Sequence, residues 1–173
     1  MFDKFGEFDS VEELNKKAAE LKAADNEKEL IALAEENGLT RDDAEDYMDD
    51  CVPEFATVLQ AAVGKIRVEA QYLGISGILE DWKNAVLDMC MENTQMQVAV
   101  RRKEKKLCEC MALLVKFAFE NKVRVSEEIV KVCKIKHNGK LEQMRSPLYL
   151  GIPNKANVKK IVTEYYLGQE TGE

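Results

Sequence analysis

Six carboxylates crowd nine consecutive positions of this chain: Asp42, Asp43, Glu45, Asp46, Asp49 and Asp50. On a helix, spacings of three and four set Asp42, Glu45, Asp46 and Asp49 one turn apart. The resulting six or so like-charge pairs cost on the order of 1 to 3 kcal/mol in an isolated helix. Asp42 and Asp43 recover part of that at the positive end of the helix dipole, whereas Asp49 and Asp50 lie at the wrong end. The chemistry open to such a cluster is electrostatic recognition. It is either a solvated face that maintains solubility or a docking surface for a basic partner, with carboxylates at helical spacing standing where nucleic-acid phosphates would stand.

The opposite charge gathers at Arg101, Arg102, Lys103, Lys105 and Lys106, interrupted only by Glu104. Read on one helix, Arg101 stacks with Lys105 and Arg102 with Lys106, giving a cationic strip. Such a strip suits an acidic protein surface, a nucleic-acid backbone, or the chain's own acidic N-terminal region. Lys155, Lys159 and Lys160 extend the patch. No aromatic residue lies among these bases, so base stacking is not indicated and any DNA contact would be to phosphates and salt-sensitive.

Bond-making chemistry finds little to use. His137, the only histidine, flanks an Asn-Gly turn, and no phosphate-binding glycine motif, serine elbow or metal-ligand set is present. The five cysteines, Cys51, Cys90, Cys108, Cys110 and Cys133, form no CxxC pair and read as reduced, largely buried thiols. Cys108 and Cys110, two apart on a helix, point to different faces and are poorly placed to share a metal. The chain is therefore read as a non-enzymatic binding protein that needs no cofactor and no metal.

The elements that must carry these charges are helical. With 173 residues, 46% hydrophobic and 33% charged, the composition is that of a globular chain. The chain suits one domain, or one domain with a small helical appendage. Residues 1–60 hold 18 acids against 6 bases and residues 61–173 hold 14 against 19, so the halves differ in sign. Ser10 to Glu13 spells a capping box ahead of Val11, Leu14, Ala18 and Leu21. A second helix is expected over residues 26–37, ended by Gly38, and a third from Thr40 to before Pro53. Leu30 to Tyr47 imitates a helix-turn-helix. Its second helix would have to approach phosphates carrying six carboxylates, which excludes DNA readout by that element.

Beyond Pro53 the helices lengthen. Phe55, Leu59, Val63, Ile66, Ala70 and Leu73 form one stripe with Pro53 in its first turn, and Gly64 should weaken it a little. Gly74 and Gly77 break the chain before a face of Leu79, Trp82, Val86 and Met89. A single long helix over residues 94–121, apolar nearly all round from Met111 to Phe119, is expected to run through the centre of the core. Ser126 should cap a short helix that buries Ile129, Val130 and Cys133. Lys134 to Glu142 alternates about Asn138-Gly139 as a β-hairpin, Leu148 to Ile152 reads as a connector lying on the core, and Val158 to Tyr165 as a terminal helix. The fold class expected is mainly α: a compact multi-helix domain with an acidic N-terminal helical subdomain over 1–52, a helical core over 53–173 and a short hairpin near 134–142.

Three stretches carry a family resemblance. Met1-Phe2-Asp3-Lys4-Phe5-Gly6-Glu7-Phe8-Asp9-Ser10, Ala99-Val100-Arg101-Arg102-Lys103 leading to Leu113-Leu114-Val115-Lys116-Phe117, and Leu150-Gly151-Ile152-Pro153 with Lys159 to Gly168 resemble PcfK-like proteins. The Glu80-Asp81-Trp82 segment also fits. These are small proteins of conjugative and other mobile elements, and the family includes type II-A anti-CRISPR proteins. The chain departs from the family pattern in its Lys134 to Ser146 insert and in its density of acids from Asp42 to Asp50. The resemblance implies a protein that inhibits a type II CRISPR effector nuclease, or its guide-RNA complex, by binding. The alternative is a conjugation accessory protein gripping DNA or a relaxosome component through Arg101 to Lys106. A third reading is a homo-oligomer whose oppositely charged halves pair between chains. No membrane span or export signal is read from the sequence, so a cytoplasmic location is expected.

Overall fold

In the computed structural model, residues 1–168 are described; they form nine α-helices and two small antiparallel strand pairs. The chain is mainly α with a short hairpin. The N-terminal helices are α1 (Val11–Ala23), α2 (Glu27–Glu36) and α3 (Arg41–Met48), and α4 (Val58–Leu73) and α5 (Ile78–Glu92) follow. Next come α6 (Thr94–Arg101), α7 (Leu107–Glu120), β1 (Val123–Arg124), α8 (Glu127–Val132), β2 (Lys134–His137), β3 (Lys140–Gln143), β4 (Tyr149–Leu150) and α9 (Lys155–Leu167). Among the described residues no helix is long and apolar enough to cross a membrane.

The helix starts follow side-chain chemistry. Ser10 accepts from the Glu13 amide, although the Glu13 carboxylate reaches back to the amide of Asp9 rather than that of Ser10. Thr40 and Asp43 form a reciprocal capping box on α3. A second box, Thr57 with Gln60, starts α4. That box displaces the expected start at Pro53, which stays outside the helix and exposed, while Phe55 and Ala56 still enter the core.

Two apolar clusters form. One gathers Leu14, Leu30, Leu33, Phe55 and Ala61; the other gathers Ala62, Ile66, Trp82, Val86, Met96, Leu107, Leu114 and Val162. They meet inside α4, whose adjacent Ala61 and Ala62 face different clusters, so α4 rather than the 94–121 segment is the central helix. Full burial of the larger side chains stabilises by roughly 1.5 to 3 kcal/mol each.

The expected long helix over 94–121 is two helices joined by Arg102 to Lys106. The break has a tertiary cause: the ammonium of Lys65, on α4, takes hydrogen bonds to the carbonyls of Arg102 and Lys105, two groups that an unbroken helix would use internally. The apolar run on α7 does not sink into the core either, because α7 packs only one face. Leu113, Val115 and Phe119 remain exposed.

The segment 119–152 differs from expectation in the same direction. On α8 only Val130 is buried, Ile129 being 59% exposed, and the connector Leu148 to Ile152 lies outward as β4, paired with β1. The hairpin matches its sequence signal: Asn138 and Gly139 both take positive φ, the conformation its tight turn demands.

α2 ends against α4 at a point where neither helix can carry a side chain. A Cβ on Gly64 would stand 2.1 Å from the carbonyl oxygen of Asn37, and one on Gly38 would stand 2.3 Å from that of Gly64. By helix propensity alone Gly64→Ala would stabilise α4 by about 1 kcal/mol. The backbone contact reverses the sign. The variant is expected to lose about 1 to 3 kcal/mol through overpacking, measured as a lower urea midpoint at unchanged slope.

Candidate functional site

The acidic cluster divides into two sets. Asp43 is structural: its carboxylate accepts from the Thr40 amide at 2.7 Å, the Thr40 hydroxyl at 2.6 Å and the Gln60 amide at 3.3 Å. Glu45 pairs with Arg41 one turn earlier, and Asp50 with Lys22, whose ammonium also stacks 4.6 Å over the Tyr47 ring. Asp42, Asp46 and Asp49 are exposed and make no hydrogen bond or ion pair through their side chains among the described residues. Their spacing of four and three places them on one outward stripe of α3 and its C-cap. Beside Asp46 lies a groove of about 160 Å³ lined by Asp43, Pro53, Glu54, Phe55 and Gln60, so three carboxylates border a recess with an aromatic floor. A basic side chain is the natural complement to that recess.

Three of the five bases are engaged inside the molecule. Arg101 is 1% exposed, donating to the Asn37 side chain at 2.8 Å, and is the largest fully buried side chain. Lys105 donates to the carbonyl of Tyr165 at 2.7 Å. Lys106 pairs with Glu7. The Lys103 amide donates to Asp9 at 2.9 Å and its ammonium stands 4.0 Å from Glu13. Arg102 and Lys103 alone of the five bases remain exposed, and the helical stacking of Arg101 on Lys105 is not formed because the helix ends between them. Of the five, Lys106 and Lys103 meet acids of the chain's own N-terminal segment, the internal role that their sequence pattern left open.

At the seam between the two apolar clusters sits a buried ionic group that the sequence reading missed. Lys65, fully buried, lies 2.8 Å from Glu7 and 3.8 Å from Glu69, and Glu69 accepts from the Leu107 amide at 2.6 Å. Burial pushes Lys65 below its ordinary value, against the opposing hydrogen bond and charge of Glu7 and the charge of Glu69. Burial likewise raises Glu69, although the Leu107 amide and Lys65 pull the other way. For Glu7 burial also works upward, but the hydrogen bonds and charges of Lys106 and Lys65 outweigh it and hold the carboxyl below its ordinary value. Burial draws Arg101 down to about 10, still protonated near neutral pH. Lys65 and Glu69 stand one turn apart, and only the phase of their helix, set by Ala62 and Ile66, turns them inward.

The thiols of Cys90 and Cys110 are buried, which raises both to about 12 and leaves them unreactive. Among the described residues no group of histidine, cysteine and carboxylate side chains has the geometry to hold a metal ion. No family model, no curated protein and no solved structure matches the chain.

Glu7→Gln should therefore act as a structural lesion. It leaves the Lys65 ammonium buried with only the more distant Glu69 as counter-charge, at an expected cost of about 3 kcal/mol in urea unfolding at pH 7. A carboxyl held below its ordinary 4.5 stabilises above that value and loses the contribution as pH falls through the lowered one. The gap between wild type and variant should be widest at neutral pH and narrow on acidification below 4.5.

Proposed function

We propose that this chain acts by occupancy, as a non-enzymatic inhibitor that docks the stripe Asp42, Asp46 and Asp49 into a positively charged nucleic-acid channel of a partner. The observation that carries the docking surface is the sorting of charge: three carboxylates at helical spacing are left outward and unpaired among the described residues, while Arg101, Lys105 and Lys106 are engaged within the molecule. Glu45, Asp43 and Asp50 support the stripe by fixing α3, and the groove beside Asp46 receives a basic side chain of the partner. The resemblance to PcfK-like proteins supplies the partner, a type II CRISPR effector nuclease, whose guide–target heteroduplex lies in a basic channel read by backbone geometry. A protein that fills that channel needs rigid negative charge and no reactive group.

Rigidity is what makes the stripe useful. α3 is pinned at its start by the Thr40–Asp43 box, and Lys22 fixes the chain just beyond its end through Tyr47 and Asp50. The carboxylates are thus presented with little ordering entropy left to lose on docking. Like-charge repulsion along the stripe is relieved when cations of the partner approach, so binding should weaken steeply as salt rises.

Asp42→Lys, Asp46→Lys and Asp49→Lys combined is expected to weaken co-elution with a purified type II nuclease at least about a hundredfold and to restore target cleavage, since charge reversal turns attraction into repulsion. These side chains make no contact that supports the fold, so the variant should keep its helical circular dichroism. Undiminished inhibition by the folded triple variant overturns the reading.

A further inference from the structure

We propose that the β2–β3 ribbon is a contact site for duplex DNA, entering the major groove of the B-form helix. The proposal uses none of the acidic-face residues and stands or falls apart from it.

Charge points there first. Although the whole chain carries −7, residues 122–145 hold seven bases against three acids. Two of those acids are already paired locally, Glu127 with Arg124 and Glu128 with Lys131. Lys134, Lys136, Lys140 and Arg145 have no ion-pair partner among the described residues, and all eight ribbon residues are exposed. Unlike Arg101, Lys105 and Lys106, these are free to meet phosphates.

Shape narrows the partner. The ribbon stands off the helices and is tied only at its base, where the Gln143 side chain donates to the carbonyls of Val130 and Cys133 and the Met144 amide to that of Cys133. Two strands about 4.8 Å apart, with their side chains, suit a groove about 12 Å wide and about 8.5 Å deep. The A-form major groove of duplex RNA is too narrow and deep for this entry.

The pairing register sets Lys134, Lys136, Leu141 and Gln143 on one face and Ile135, His137, Lys140 and Glu142 on the other, with Glu142 standing 3.8 Å from His137. The first face sets two lysines about Leu141 and carries no acid, while the second sets Lys140, His137 and Glu142 about Ile135. Neither offers the contiguous apolar patch that a lipid surface or a protein groove would bury. Lysines on both faces reach phosphates on both walls of the groove, and the aliphatic side chain that faces the base edges can meet thymine methyl groups.

The test is fluorescence anisotropy of the full chain with a labelled mixed-sequence DNA duplex of about 20 base pairs, over a series of salt concentrations. Three to four phosphate contacts predict a slope of log affinity against log salt near −3, a fall of about a hundredfold between 50 and 200 mM salt. Lys134→Ala, Lys136→Ala and Lys140→Ala combined should weaken binding at least tenfold and flatten the slope towards −1, because three counterion-releasing contacts are lost. Removing exposed lysines elsewhere, Lys16→Ala with Lys28→Ala, should leave both readouts unchanged. The ribbon supports no core contact, so the triple variant should retain the wild-type unfolding midpoint. Absence of duplex binding at low salt, wild-type affinity in the ribbon variant, equal binding to an RNA duplex, or capture by phosphatidylserine vesicles in place of DNA would each overturn the proposal.

Discussion

A lysine ammonium withdrawn from the surface needs oxygen ligands within the protein, and Lys65, fully buried, organises much of this fold by that demand. Glu7 supplies a charge, the carbonyls of Arg102 and Lys105 supply two dipoles, and Glu69 stands one turn along the same helix. Each of these ligands has a structural consequence. Drawing in Glu7 straps the non-helical N-terminus across the molecule. Drawing in the two carbonyls ends α6 and separates it from α7. The polar seam that results joins two apolar clusters, and Arg101 reaches across it to Asn37 at the end of α2.

That seam also settles which charges face outward. Near residue 101, Lys106 pairs with Glu7 of the N-terminal strap, the Lys103 amide donates to Asp9 and the Lys103 ammonium stands by Glu13, while Arg101 is buried. The carboxylates of α3 lie beyond that reach. They keep only the local partners their helix offers, Arg41 and the returning Lys22, and three of them find none. An outward acidic stripe is thus the remainder left when the internal pairing is complete. The occupancy mechanism proposed above rests on that remainder, with the unpaired lysines of the distant ribbon as its counterpart of opposite sign.

Much of the scaffold was legible in the residues. Ser10, Asn26 and Thr40 mark helix starts by hydroxyl or amide capping, Gly38, Gly74 and Gly168 take the left-handed conformation at helix ends, and Asn138-Gly139 turns a hairpin. These are local events, decided within four residues by backbone sterics and nearby side chains. The misreadings share one feature, a dependence on distant partners. Residues 94–121 carry helical periodicity throughout, yet the helix breaks where Lys65 competes for its carbonyls. Gly64 reads as a weak point in α4, yet it is the spot where the α2 terminus approaches. Met111 to Phe119 reads as core, yet the apolar face that would cover its outer side is not packed there.

Helical class, hairpin and the segregation of charge along the chain are all written in local residue patterns, because periodicity, capping and composition act over short distances. Which charges are free is set by long-range packing. Burial and pairing depend on where segments separated by tens of residues come to lie, and that is why Arg101, Lys105 and Lys106 are drawn inward while Asp42, Asp46 and Asp49 remain in solvent.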